Sequence, residues 1–528
     1  MRMMSPLPRS PQTTNLLPSF KMQEIQHVAV FDFGSQYTQL IVRRIRELGF
    51  FAKLYSPEEI SEIGQPGAII LSGGPKSTSE SDAPDIDFEK LKSFAVPVLG
   101  VCYGMQLLNI KFGGSVKKSN RREYGAAALT PRCHKDLYDG VSAGSQVWMS
   151  HSDTVQDLHE EAEVIATNQH DTPVSLRWPG GFFGIQFHPE VTHSHEGLKI
   201  LKNFLKQAKK LQPFHIEDFK REMIEGIREL VGDKQVVCGV SGGVDSTVLA
   251  VLLKEAGVKV RAIFVDNGLL RKDESTVVQN NFHRMGVEIE TVDASDEFLN
   301  ALAGKEDPEE KRRIIGNLFI KVFWDSVGNA EMLAQGTLYP DVIESASNAK
   351  SKASVIKTHH NRVPKILELQ EQGKVLEPLA ELFKDEVREL GAALGIASDI
   401  LGRHPFPGPG LAVRCPGAVD RERLNIIREC DAIFIGKLKQ HGWYDRVWQA
   451  YAGLIPVKTV GVKGDERSYE WATNLRAVIS EDAMTAEWVD LPAQLLRETS
   501  QDILNEVSGI NRVLYDISTK PPASIEWE

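Results

Sequence analysis

The sequence predicts an α/β protein: two doubly wound, mostly parallel-sheet domains followed by a smaller α+β C-terminal domain. Three observations predict it. Short β-rich runs alternate with amphipathic helical stretches over 27–112, and again from 217 onward; strands interleaved with helices pair in parallel under a helical cover. After the Pro-Gly run RHPFPGPG (403–410) that alternation gives way to a long helix and clustered strands. A chain of 528 residues also exceeds what one hydrophobic core usually organises, since domains run about 100–200 residues.

The first strand is expected in HVAVFDFG (27–34), followed by a helix over 36–48 that Gly49 closes. Further strands follow in FAKLY, GAIILSGG and VPVLGVC, and a helix starts near 104. From 115 to 190 the pattern shortens and becomes strand-like, and a helix after Glu196 leads to the polar connection LQPFH (211–215). The second pattern has a helix over 217–231, the strand QVVCGV, a helix after Ser246 and the strand VRAIFVDNG (260–268). Prolines and glycines of 403–410 cannot continue a helix, which marks a further boundary. Helices over 420–440 and 491–507 and a strand RVLYDIS complete the chain. The expected divisions are 1–23, a disordered extension with Met22 as a second possible start, then 24–212, 213–403 and 404–528.

Composition excludes several classes. Apolar residues make up 42% and charged residues 25%, ordinary for a soluble globular chain. The net charge of −11 gives no global basic field for nucleic acid or an anionic membrane. No apolar stretch approaches the ~20 residues that span a bilayer, and residues 1–23 lack a signal peptide's apolar core. The five cysteines are odd in number, scattered and without a CxxC pair, which favours a reducing, cytoplasmic setting over a disulfide framework.

Cys102 closes an apolar strand directly before a helix, with Gly100 and Gly104 on either side. This is the pattern of a nucleophile elbow, and a helix N-terminus favours the thiolate; alone it competes evenly with a buried core cysteine. The strand FGIQFHPE (183–190) adds His188 and Glu190 at i and i+2, which share a face of an extended segment. Glu190 can then orient the imidazole while His188 takes the thiol proton. These motifs resemble the class I glutamine amidotransferase domain, over about 27–205. The resemblance implies that Cys102 attacks the carboxamide of glutamine, that SGGP (72–75) is the oxyanion loop with N–H groups near Gly74 and Tyr103, and that Gln106 is a weaker candidate for glutamine recognition.

VSGGVDST (240–247) lies between an apolar strand and a helix. Small residues let backbone N–H groups crowd an anion at a helix N-terminus, and no GxxxxGK[ST] loop occurs. The string resembles the pyrophosphate loop of N-type ATP pyrophosphatases. By that resemblance Ser241, Gly242, Gly243, Val244, Asp245, Ser246 and Thr247 hold the phosphates of ATP with Mg²⁺, Asp245 being the possible metal contact, and Asp266 sits near the adenosine. An ordinary helix-capping aspartate is the competing reading of Asp266.

Nearly the whole chain, 27–528, resembles the glutamine-hydrolysing GMP synthetase family: GVCYGMQ, FHPEVTH, SGGVDS, KRRIIG, AQGTLYPDVIES, HPFPGPGL and KPPASIEWE all stand in it. The resemblance implies a ligase in which ammonia from glutamine aminates adenylylated XMP, giving GMP, AMP, pyrophosphate and glutamate. It implies a homodimer formed through 404–528, and XMP contacts from Arg312, Lys520, Ile525 and Glu526, each of which could equally be a solvated or packed residue. Two departures stand out: the N-terminal extension, and Arg362, Val363 and Pro364 where many members have a glycine-containing VGGLP, beside the lid candidates Lys357, His359 and His360. Another ligase with the same ATP loop, or a non-catalytic glutamine or nucleotide sensor, is the alternative; the first would lack KPPASIEWE, the second would lack the nucleophile or its base.

Overall fold

The computed structural model describes residues 26–328, 330–342, 368–370, 372–463, 465–480 and 485–528. The extension 1–23 and the segment carrying Lys357, His359, His360 and Arg362–Pro364 lie outside the described residues. Two compact units emerge, with the division falling between Phe219 and Lys220, inside the helix Ile216–Val231.

The first unit is organised by a nine-stranded sheet of β1 (Val28–Phe31), β2 (Ala52–Tyr55), β3 (Ala68–Leu71), β4 (Val98–Val101), β5 (Val116–Pro131), β6 (Ser145–Val155), β7 (Glu163–Asn168), β8 (Pro173–Trp178) and β9 (Phe182–Ile185), in the order β2-β1-β3-β4-β9-β8-β7-β5-β6. Strands β2 to β9 across the first half of that order pair in parallel. From β9 onward, through β8, β7, β5 and β6, every pairing is antiparallel. The central strands β1, β3, β4 and β9 are buried along their whole length, as a strand covered on both faces requires. Helix Thr38–Glu47 turns Ile41, Val42 and Ile45 inward while Arg43 and Arg44 pair with Glu47 outside, an amphipathic stripe at the expected spacing.

In the second unit, β10 (Gln235–Val240), β11 (Lys259–Asp266), β12 (Ile289–Asp293), β13 (Met332–Ala334) and β14 (Val375–Leu376) form an all-parallel sheet ordered β12-β11-β10-β13-β14. The sheet order leaves β10 and its following loop central. A separate sheet joins β15 (Gln449–Lys463), β16 (Glu466–Ile479), β17 (Glu487–Trp488) and β18 (Ile510–Tyr515), with β18 running parallel to β16 and the others antiparallel. Asp420 caps the helix Arg421–Gln440 by accepting from Arg423 N, which satisfies an otherwise orphaned donor. Apolar residues of the parallel sheet, such as Ile263 and Leu333, share one continuous core with Leu411, Ile427, Phe434 and Leu475.

Candidate functional site

Cys102 sits where β4 ends. Its φ of +51° is left-handed, which is costly for a residue with a Cβ, and its N–H is tied to Ile185 O at 2.7 Å. The flanking glycines are required by close approach. A Cβ on Gly100 would lie 2.5 Å from the backbone of Gly104, and one on Gly104 would lie 2.4 Å from Leu71 O. The helix Tyr103–Lys111 begins at the next residue, which puts Cys102 at its N-cap, and Gly104 N in its first turn donates to Ser72 O at 3.1 Å. Sγ lies 3.6 Å from Gln186 Nε2 and 3.8 Å from Ser150 O.

His188 and Glu190 meet as the sequence implies, with His188 Nδ1 2.7 Å from Glu190 Oε1. The route differs from strand alternation: β9 ends at Ile185, and the pair is closed by a turn through Pro189. Because Nδ1 donates to the carboxylate, Nε2 is the ring nitrogen left for Cys102, which lines the same cleft. Burial pushes the imidazole's pKa down, but the carboxylate of Glu190 and the contact with Cys102 outweigh it and hold the ring up at about 10. His188 and Glu190 are 3% and 1% exposed, so this charge pair is shielded from solvent. Tyr37 packs edge-on against the imidazole, with centroids 5.0 Å apart.

The triad opens on a cleft of about 620 Å³ lined by Tyr37, Gly74, Lys76, Tyr103 and Gln106, among others. At Gly74 a Cβ would lie 2.8 Å from Phe33 O, so the SGGP loop lies close to its neighbours at a position only glycine tolerates. Gln106 is 3% exposed, and its Nε2 donates to Asp153 O at 3.0 Å and Gln186 Oε1 at 3.3 Å; it therefore braces Gln186, whose own amide faces Sγ.

One part of this cleft has no counterpart in the motifs. His151, opposite Glu123 in the β5/β6 register, places Nε2 3.5 Å from Glu123 Oε2 and Nδ1 3.0 Å from Asp153 O. Burial lowers its pKa despite that carboxylate, and the nearby His188 lowers it further. The one hint in sequence is the polar string SHSD inside an otherwise alternating strand.

In the second unit, Ser241–Thr247 joins β10 to the helix Val244–Glu255. Gly242 has φ +74°, and a Cβ there would lie 2.4 Å from Val278 Cγ2. Ser246 Oγ accepts from Ser241 N at 3.1 Å, and Thr247 Oγ1 donates to Gly243 O at 2.8 Å, shaping the turn from within. Asp245 lies 3.7 Å from Lys384; burial nevertheless raises its pKa, and its Oδ1 is buried with no partner among the described residues. The adjoining cavity, about 350 Å³, runs from this loop to an apolar wall of Phe319, Phe323 and Trp324. Asp266, at the end of β11, accepts from Gly268 N at 3.0 Å and lines a separate cavity of about 240 Å³ with Arg421 and Arg428.

The tail residues are engaged by their own chain. Glu526 accepts from Arg414 Nε and Nη2, both at 3.0 Å, and from Gln449 Nε2 at 2.8 Å. Ile525 packs on Val478 and Ala486, and its carbonyl accepts from Tyr451 Oη and Arg476 Nε. Half-buried Lys520 exchanges backbone hydrogen bonds with Ala486. Arg312 is exposed and pairs with Glu309 at 2.6 Å. Its neighbour Lys311 is fully buried on the carbonyls of Ala412, Cys415 and Gly417 and pairs with Glu528.

Residues 29–208 match the family model of class-I glutamine amidotransferases, 234–305 that of the tRNA methyl transferase HUP domain, and 436–527 that of the GMP synthase C terminal domain. The glutamine-hydrolyzing GMP synthase of Thermosipho africanus is 48% identical over 517 residues, spanning 95% of this chain and 99% of its own. That of Chlorobaculum tepidum is 49% identical over 529 residues, spanning 96% and 99%. That of Aquifex aeolicus is 48% identical over 512 residues, spanning 95% and 99%.

Proposed function

This chain belongs to the glutamine-hydrolysing GMP synthase family, and from that premise we propose how its residues divide the work of a carbon–nitrogen ligase that makes GMP with glutamine as nitrogen donor. In the first unit Cys102 attacks the side-chain carboxamide carbon of glutamine. The N–H groups of Gly74 and Tyr103 face the developing oxyanion, and His188 delivers the proton with which ammonia leaves. Water, deprotonated by His188, then cleaves the glutamyl thioester to glutamate and restores the thiol. The observation that supports this most directly is the His188–Glu190 hydrogen bond on the same cleft as Cys102 at its strained elbow.

In the second unit the loop Ser241–Thr247 receives the phosphates of ATP, and the apolar wall at Phe323 and Trp324 suits a purine face. Oxygen 2 of XMP displaces pyrophosphate from the α-phosphorus; ammonia then displaces AMP at carbon 2, leaving GMP. Mg²⁺ fits this site, because the orphaned Asp245 Oδ1 is an oxygen donor suited to a hard cation. When bound, the ion neutralises charge on the pyrophosphate. Lys520, Ile525, Glu526 and Arg312 serve XMP, and Asp266 the adenosine side of ATP.

Residues 24–212, 213–403 and 404–528 are the ammonia-producing, ATP-binding and XMP-binding portions, and the last also dimerises. Val460, Val462 and Tyr469, on one hairpin, are each more than half exposed, which supports a second copy covering that sheet. All five cysteines are free thiols, which fits a cytoplasmic enzyme; no helix among the described residues is long and apolar enough to cross a membrane. The test is XMP-dependent release of AMP and pyrophosphate, with glutamine and with ammonium as donor. ADP as the main product, or ATP cleavage indifferent to XMP, would overturn the assignment.

A further inference from the structure

The loop that takes the phosphates is gripped from outside its own segment. Arg403, the residue that opens RHPFPGPG, donates from Nη1 to Gly242 O at 3.1 Å. Its Nη2 pairs with Glu274, which is 7% exposed and begins the helix Glu274–Arg284. That same helix presents Val278, the side chain that leaves no room for a Cβ on Gly242. Gly242 therefore sits between an apolar stop and a guanidinium clamp, and its left-handed φ is fixed from both sides.

From Arg403 the contacts continue toward the chain's tail. The ring of His404 stacks on Tyr444 with centroids 3.8 Å apart, its Nε2 lies 2.8 Å from Tyr444 O, and its Nδ1 accepts from Ala450 N at 3.3 Å. This requires the neutral tautomer with the proton on Nε2, and burial holds the ring's pKa down at about 4. At the next residue, Pro405 O accepts from Gln449 Nε2 at 3.0 Å, and the same amide donates to Glu526 Oε1 at 2.8 Å. A short path, from Glu526 by hydrogen bonds through Gln449 to Pro405 O, along the chain to Arg403 and from its guanidinium to Gly242 O, thus joins the tail to the phosphate loop, with both ends inside one compact unit.

We infer that Arg403 is a positioning residue that couples occupancy of the tail to the shape of the ATP loop, so that XMP binding at Glu526 favours the loop conformation that holds ATP. This rests on the reading of Ser241–Thr247 as the ATP loop and of Glu526 as an XMP contact. Any move of Glu526 toward a ligand releases Gln449 and is felt at Pro405 and Arg403; by linkage, ATP must favour XMP by the same factor. The two alternatives are a purely structural Arg403, and a coupling carried elsewhere.

The experiment titrates the full chain, in Mg²⁺, with the uncleavable α,β-methylene analogue of ATP, with and without saturating XMP. In the unaltered protein XMP should tighten the analogue by about tenfold, a usual size for coupling between sites. In Arg403→Ala that factor should fall to about one, and Arg403→Lys, which keeps one donor to Gly242 O, should recover part of it. Glutaminase activity at Cys102 should stay within about twofold in these variants, which a general loss of folding would not allow. Should Arg403→Ala fail to fold, Glu274→Gln keeps the test, because removing the charge that holds Arg403 should lower the factor several-fold. Undiminished coupling in Arg403→Ala, or no coupling in the unaltered protein, would overturn the inference. Asp245→Asn separates the premises: unchanged analogue affinity there sinks the reading of the ATP loop itself. Lost affinity there with intact coupling in Arg403→Ala sinks only the role of Arg403.

Discussion

At the cysteine end of the molecule the groups are gathered in advance: buried His188 is hydrogen-bonded to Glu190 at 2.7 Å and lines one cleft with Cys102. At the tail, Glu526 and Ile525 touch instead Arg414, Gln449, Tyr451 and Arg476, all from their own chain. The difference follows from what each region must do. A thiol that attacks a small amide can be prepared in advance, because one strained residue and two glycines fix it and a turn supplies its base. If the tail serves a nucleotide as proposed, its pocket cannot be closed beforehand; its polar groups need internal partners in the meantime, since an unpaired buried charge costs several kcal/mol. Asp245 Oδ1 and, lining the same cavity, Gln335 Oε1 are buried without such partners among the described residues.

The largest test of this contrast is Cys102→Ala, which should lower glutamate release from glutamine by about 10⁴-fold, the usual scale for a lost nucleophile. Glu190→Gln should come next, at about 10²-fold, because a base without its orienting carboxylate loses its tautomer and position. It also has a pH signature. Burial lowers the His188 pKa and Glu190 raises it, with the net value about 10. The charge pair therefore contributes stability that is complete below the unfolded pKa of ~6.5 and is lost as pH rises through about 10. Glutaminase kcat/KM should hold to about pH 9 in the unaltered enzyme; in Glu190→Gln its alkaline limb should move toward neutrality by about one to three units. A limb that does not move would show that the pair is not set by Glu190.

At the synthetase end the expected effects are smaller, since each residue is one contact among several. Asp245→Asn should raise the ATP KM by about 10–100-fold with either nitrogen donor, the range for a lost charge-assisted contact, while glutaminase activity persists. Lys520→Ala should raise the XMP KM by about tenfold, with the ATP constant little changed; an unaltered XMP constant in a folded variant would take Lys520 out of the site. The smallest effect is structural: Gly100→Ala places a Cβ 2.5 Å from Gly104 backbone and should cost about 1–3 kcal/mol, read as a lower thermal midpoint.

These two ends also differ in how far the sequence reveals them. The elbow at Cys102, the pair His188 and Glu190, and the loop at Ser241–Thr247 are encoded within a few residues each, so composition and strand-to-helix context suffice. His151 with Glu123 is set by a cross-strand register in β5 and β6, hinted at locally only by the polar string SHSD, and the contact of Arg403 with Gly242 O joins segments far apart in the chain, which no local pattern announces. The same limit applies to the sheets. Parallel alternation over 27–112 is legible, whereas the antiparallel return through β8, β7, β5 and β6 depends on which strand meets which. The turn at Pro189 shows a contact inferred from strand alternation and reached by another geometry.

The central claim is that ammonia production and its use are separate chemistries on one chain, and the rate of GMP formation by Cys102→Ala from ammonium, set against its rate from glutamine, tests this most directly. With ammonium the variant should match the unaltered enzyme within about twofold, and with glutamine it should make almost no GMP, because the nucleophile serves only the first step. A parallel fall with both donors would contradict the account.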